Sequence, residues 1–189
     1  YSADNKNVPY DHGYSEYAAK KFLAEQGYDE GQQTLSKLRR DLNKGTSFVW
    51  EELYESWTQF KVRQINEFVN EIYELVKELE DGRKSDTTGA YTNSNIIIST
   101  SVFADSDVVT KKCQDWEYWF KQGWIEVATP MAYYQNANTV TQKIAEMIAK
   151  LDNISYNYAG IAPYFMGMNP YEEVVQAVAA LSGGSFGTV

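Results

Sequence analysis

The chain has 189 residues, 43% of them hydrophobic, and a formal net charge of −9. That length and apolar content suit one domain with a substantial core and exclude a disordered chain. The acidic balance excludes the basic footprint that nucleic acid or an anionic membrane surface requires. Cys113 is the single Cys and His12 the single His, so neither an intrachain disulfide nor a Cys/His metal set is available. Aromatics make up 15%, including 15 Tyr and 5 Trp. Such rings suit carbohydrate or peptide ligands, because a flat face stacks and a polar edge hydrogen-bonds, although many Tyr simply pack with the hydroxyl at the surface.

Residues 1–14, "YSADNKNVPYDHGY", are polar with Pro9 and Gly13 and read as a loop. Ser15 is placed to cap a short helix, "EYAAKKFLAEQ", that Gly27 ends. Residues 29–45 read as a second short helix. Residues 47–82 carry the longest helical pattern, with Trp57, Phe60, Gln64, Phe68 and Ile72 on one face and Gly82 as the stop. Residues 81–94 form a polar connector.

The pattern then changes. "NIIISTSVF", 95–103, is β-branched and apolar, a buried strand. Asp105 and Ser106 are cap candidates for one helix over 107–123, which includes Cys113 as a packing residue and ends at Gly123. A second strand follows over about 124–134, a helix over 138–153, and a third strand over 154–165. Pro170 opens a helix over 171–182, and "GSFGTV", 184–189, turns β-like again.

Strands alternating with helices across short connections predict an α/β fold with a parallel sheet. Neither G-x-G-x-x-G nor G-x-x-x-x-G-K is present, so a nucleotide has no support and no cofactor is expected. The spacing suits a partial (β/α)8 TIM barrel, about its C-terminal half, with parallel strands and outer helices. On this reading residues 1–189 are one domain: loop and helices over 1–94, successive β/α units over 95–189. Four strands cannot close, so the earlier strands are expected outside this chain. The chain opens on Tyr1 rather than Met, as after removal of a targeting segment, and has no apolar run long enough for a membrane span.

"QDWEYWFKQGWIEVATPMAYYQ", 114–135, resembles the glycosyl-hydrolase-10-like family of bacterial envelope proteins, whose pattern runs Q-x-W-x-x-W-L-x-x-G-x-I-D-x-x-x-P-M-x-Y. "YS" at 1–2, "HGYSEYAAKKFLAEQGYD", "WTQFKVRQINEFVNEIY", "GIAPYF" and "GSFGTV" resemble further family pieces in the same order. The resemblance implies a TIM barrel in the cell envelope, outside the cytoplasm. It would act on a polysaccharide or a peptidoglycan glycan strand by paired-carboxylate hydrolysis, or bind such a glycan without catalysis. Glu126 stands where the family has Asp, and Lys61 where it has Arg, while Arg63 matches. Glu126 falls at a strand start, the stability face of a barrel. The family's fourth-strand acids would precede Tyr1, so residues 1–189 alone are expected to be silent on glycans.

In a TIM barrel the C-terminal strand ends carry the site. "PMAYYQ" therefore offers Met131, Tyr133, Tyr134 and Gln135, with Tyr133 and Tyr134 pointing opposite ways because side chains alternate. Phe103 and Tyr164 end the neighbouring strands, and His12 lies in the first loop with Asp11. Phe103, Tyr133, Tyr134, Gln135, Tyr164 and His12 are the candidate substrate-binding residues. Glycoside hydrolysis needs two carboxylates. Asp105, two residues past its strand, is the candidate catalytic acid, with Asp107 beside it; either could instead be a helix cap. Glu51 and Glu52 suit a helix dipole, and "KELED", 77–81, reads as a solvated charge run. No metal is expected. The open sheet edge calls for a cover, from a missing barrel half or a second copy.

Overall fold

The structure is a computed structural model. It describes residues 15–27, 48–84, 96–105, 107, 109, 112–151, 156–163, 167 and 169–189. His12, Tyr164, Ser106 and the expected helix over 29–45 lie outside the described residues. The chain divides into two compact units, residues 1–64 with 110–113 and residues 65–109 with 114–189.

In the first unit, α1 spans Glu16–Glu25. The Ala18 N–H donates to Ser15 Oγ at 3.1 Å, the expected N-cap, and Gly27 ends the helix at φ 73°. α2 spans Phe48–Lys84, with its residues through Gln64 in this unit and the rest in the second, and runs past Gly82. Early in α2, Trp57 and Phe60 pack on Phe22, with ring centroids 5.1 and 5.5 Å away. Lys21 Nζ donates to Gln64 Oε1 at 2.6 Å, and Arg63 pairs with Glu25 at 2.8 Å.

The second unit is an α/β layer. Its sheet has β1 (Ser99–Phe103), β2 (Val127–Met131) and β3 (Tyr156–Asn157), parallel and in chain order. The parallel expectation holds, with shorter strands than the apolar runs suggested. Met131 then bridges Gly160, and Ala159 bridges Thr188, both in parallel. Three bonds lay residues 186–189 beside β3 as a further parallel segment: Phe186 N–H to Asn157 O, Ala159 N–H to Gly187 O and Ile161 N–H to Val189 O.

Between the strands stand α3 (Trp116–Lys121), α4 (Ala137–Leu151) and α5 (Pro170–Ser182). The register puts Val102, Ala128, Pro130 and Ala159 on one sheet face. Trp116, Trp119 and Phe120 of α3 and Met147 and Leu151 of α4 pack on Val102 and Ala128, with Val69 of α2 against them. Val140 and Ile144 of α4 and Ala179 and Ala180 of α5 pack on Ala132 and Ala159. Helices α2 to α5 therefore lie on the same face. The opposite face holds Ser99, Ser101, Thr129, Tyr156 and Tyr158, and among the described residues of this unit the buried helical clusters do not lie on it. Tyr156 is 61% exposed.

Three expectations need correction. The charge run 77–81 is not solvated throughout, since Glu80 is buried. The single helix over 107–123 is interrupted, and Cys113 adopts a left-handed φ of 57°. Two side chains compete with the helix there. Gln114 Oε1 accepts the Phe103 N–H at 3.0 Å, and Asp115 Oδ1 caps α3 by accepting the Tyr118 N–H at 3.4 Å. In α2, Phe68 and Ile72 were expected on the core face but are exposed. The helix is apolar over a wide arc, and in this unit Val69 and the buried Glu80 face the fold instead.

α4 and α5 approach closely at Gly183, where a Cβ would stand 2.7 Å from Thr141 O and 2.9 Å from Ile144 Cβ. Gly183→Ala is expected to cost about 1–3 kcal/mol by overpacking, read from the urea midpoint. Among the described residues no helix is long and apolar enough to cross a membrane.

Candidate functional site at the strand ends

The C-terminal ends of β1 and β2 bring five of the candidates into one region. Phe103 lies opposite Met131 in the ladder and packs partly against the core. Past β2, the Ala132 N–H donates to Gly160 O at 2.8 Å, which sets the direction in which Tyr133 and Tyr134 diverge.

Tyr134 turns toward the helix layer and packs beside Ala132, Val140 and Ile144. Its hydroxyl donates to Asp105 Oδ2 at 2.8 Å. Lys143 Nζ of α4 stands 3.2 Å from Asp105 Oδ1 and 3.3 Å from Glu146 Oε2. Asp105 thus has both oxygens engaged, joining the end of β1 to the end of β2 and to α4. Among the described residues its carboxylate meets a phenol and an ammonium, and the helix it was a candidate to cap lies largely outside them.

Burial, and then the bond to Asp105, hold the Tyr134 phenol well above its ordinary value near 10. The hydrogen bonds to Asp105 and Glu146 likewise raise Lys143. Both folded values are raised, so each group contributes stability that is fully present below pH 10 and is lost as pH rises through the folded value. Tyr134→Phe is therefore expected to flatten the alkaline fall of the urea midpoint above pH 10 relative to the parent, and to leave its shape near pH 8 unchanged.

Tyr133 goes the other way. It is 44% exposed, and its Cε1 would lie 3.6 Å from a Cβ at Gly160. The tighter neighbour at Gly160 is the Pro130 carbonyl, 3.3 Å from the same position. Gln135 is exposed at its side chain, while its carbonyl accepts Gln176 Nε2 of α5 at 2.9 Å. Tyr133 and Gln135 are the two open members of the set.

At the other end of the sheet, Glu126 Oε2 accepts the Ile98 N–H at 2.8 Å. Glu80 of α2 accepts the Ile96 N–H and pairs with Lys77 at 3.1 Å. These carboxylates tie down the entry to β1. Among the described residues no group of His, Cys, Asp and Glu is placed to hold a metal.

Sequence reading missed Lys143, Gly160 and Asn136. Asn136 caps α4 through Oδ1, which accepts the Asn138 N–H at 2.8 Å, and an Asn immediately before a helical run was a legible signal. Lys143 meets Asp105 only through the fold and left none. Comparison with known proteins found no matching family model, no matching curated protein and no matching solved structure.

Proposed function

We propose that this chain supplies the sugar-binding strand ends of a glycosyl-hydrolase-10-like (β/α)8 barrel that acts on a polysaccharide or peptidoglycan glycan strand outside the cytoplasm. The observation that carries the reading is the one-sided sheet. Among the described residues, parallel strands in sequential order with the packed helices of this unit on one face are compatible with a barrel wall, whereas a doubly wound sheet carries helices on both faces. Tyr133 and Gln135 then stand on the functional end of that wall, and the resemblance over 114–135 falls on this same segment.

Binding is better supported than hydrolysis within these residues. Asp105 is engaged by Tyr134 and Lys143, so the arrangement holds an aromatic ring and an amide open and keeps its nearest acid occupied. Hydrolysis would require a second carboxylate and a released Asp105. The test is calorimetric titration with chitin-type, peptidoglycan-type and plant glycan oligomers, beside an assay for new reducing ends. Saturable binding by one class without release of reducing ends is expected. No binding to any class would overturn the reading, and turnover that Asp105→Asn abolishes would restore Asp105 as a catalytic acid.

A further inference from the structure

We propose that α2 carries a docking seam for a basic amphipathic helix of a partner protein. The seam lies on α2 and not at the strand ends, so the inference stands or falls apart from the glycan reading.

Five apolar side chains make the seam. Ile65, Phe68, Ile72, Leu75 and Leu79 recur at alternating steps of three and four and are 38–58% exposed. Those steps are the a and d positions of a heptad, a stripe narrower than the face a helix turns to its own core. The contacts of this part of α2 with its own fold lie elsewhere on the helix. Val69 packs against the cluster of Val102 and Trp119, and Asn66 Oδ1 accepts the Trp119 Nε1–H at 2.6 Å. The seam is centred about 140° around the helix from Asn66. Its spacing offers holes to the knobs of one further helix.

Charge selects that helix. Glu67, Glu71, Glu74, Glu78 and Asp81 form a second row beside the seam, at steps of four, three, four and three, and all are exposed. Glu74 and Glu78 stand one turn apart, as do Glu67 and Glu71, and like charges at that spacing repel. Lys77, the one cation between residues 65 and 81, is held at 3.1 Å by the buried Glu80. Glu71, Glu74, Glu78 and Asp81 line one groove together with Leu75 of the seam. Lys or Arg flanking the apolar stripe of a docked helix would offset this repulsion. The same row opposes an anionic lipid surface, and a second α2 would bring a second acidic row. Five half-exposed side chains offer roughly 400 Å² and the partner helix a similar area. The total of about 800 Å² belongs to a weak, transient contact.

Fluorescence anisotropy tests the proposal, with residues 1–189 titrated into a labelled three-heptad peptide. The peptide has Leu at a and d and Lys at e and g, which also keeps it from pairing with itself. Saturable binding of micromolar order is expected. A scrambled peptide of the same composition, and one with Glu for Lys, should bind at least about 10-fold more weakly. Ile72→Asp and Leu75→Asp lie on exposed positions and should each weaken the Lys peptide about 10-fold or more, with unchanged circular dichroism. Val178→Asp, on an exposed position of α5, should leave it unchanged. Changing Glu71, Glu74 and Glu78 together to Lys should reverse the order of the Lys and Glu peptides. A scrambled peptide as tight as the ordered one would reduce the effect to net charge and overturn the proposal. Indifference to Ile72→Asp and Leu75→Asp, or a preference unmoved by the charge reversal, would do the same. So would self-association of the chain, or its binding to phosphatidylcholine vesicles, that Ile72→Asp abolishes. Failure of glycan binding with peptide binding intact would instead remove the sugar reading alone.

Discussion

Trp119→Ala is expected to lower stability by about 3–5 kcal/mol and to loosen α3 from both α2 and the sheet. The ring is 3% exposed and sits in the cluster with Val102, Ala128, Met147 and Leu151. Removing it deletes a large packed volume at a point that three helices and two strands share, and a neighbourhood of rigid elements closes poorly over a cavity. The indole adds a directed bond, Nε1 to Asn66 Oδ1 at 2.6 Å. Trp119→Phe separates the two contributions, since it keeps most of the apolar area and removes only the donor. Its expected cost is about 1–3 kcal/mol, the penalty of an amide oxygen left without its partner. Urea midpoints followed by circular dichroism measure both variants. Equal losses for Ala and Phe would assign the whole effect to the bond, and a negligible loss for Ala would contradict the burial.

The elements that local chemistry fixes were legible. Ser15, Gly27, Gly123 and Pro170 mark helix ends whose stereochemistry depends on neighbours a few residues away, and the structure places ends at each. β-branched runs marked the strands, and their alternation with helices foretold the parallel order. What failed depended on competition or distance. Gln114 and Asp115 carry helix-compatible side chains, yet Gln114 reaches back 11 residues to Phe103 and Asp115 caps α3, which starts at Trp116. α2 is apolar over so wide an arc that its pattern alone cannot say which stripe meets the fold. In the candidate site, the divergence of Tyr133 and Tyr134 followed from alternation. Which of them stays open depended on Asp105, which is 29 residues before Tyr134 in the chain and meets it and Lys143 only through the fold.

That divergence gives two adjacent tyrosines opposite expected signatures. Tyr134→Ala should cost about 2–4 kcal/mol of stability, from a truncated half-buried ring and a lost bond to a charged acceptor. Tyr134→Phe keeps the packing and removes the bond, so about half of that loss should return. Tyr133→Ala should change stability by no more than about 0.5 kcal/mol, because its ring is largely open to solvent. In a glycan titration the order reverses. Loss of the Tyr133 ring should weaken binding by about 1–3 kcal/mol, the scale of a flat ring stacking on a flat ligand face. Tyr134→Phe should leave affinity unchanged, since the Tyr134 hydroxyl points into the Asp105–Lys143 contact and away from the open face. Asp105→Asn joins the comparison as a third variant. If Asp105 only anchors Tyr134, it should follow Tyr134→Phe in both measurements, with a modest stability loss and unchanged affinity. The decisive comparison is Tyr133→Ala against Tyr134→Phe at matched fractions folded. Equal affinities in the two would return Tyr133 to a packing role and move the search for the ligand surface away from the end of β2.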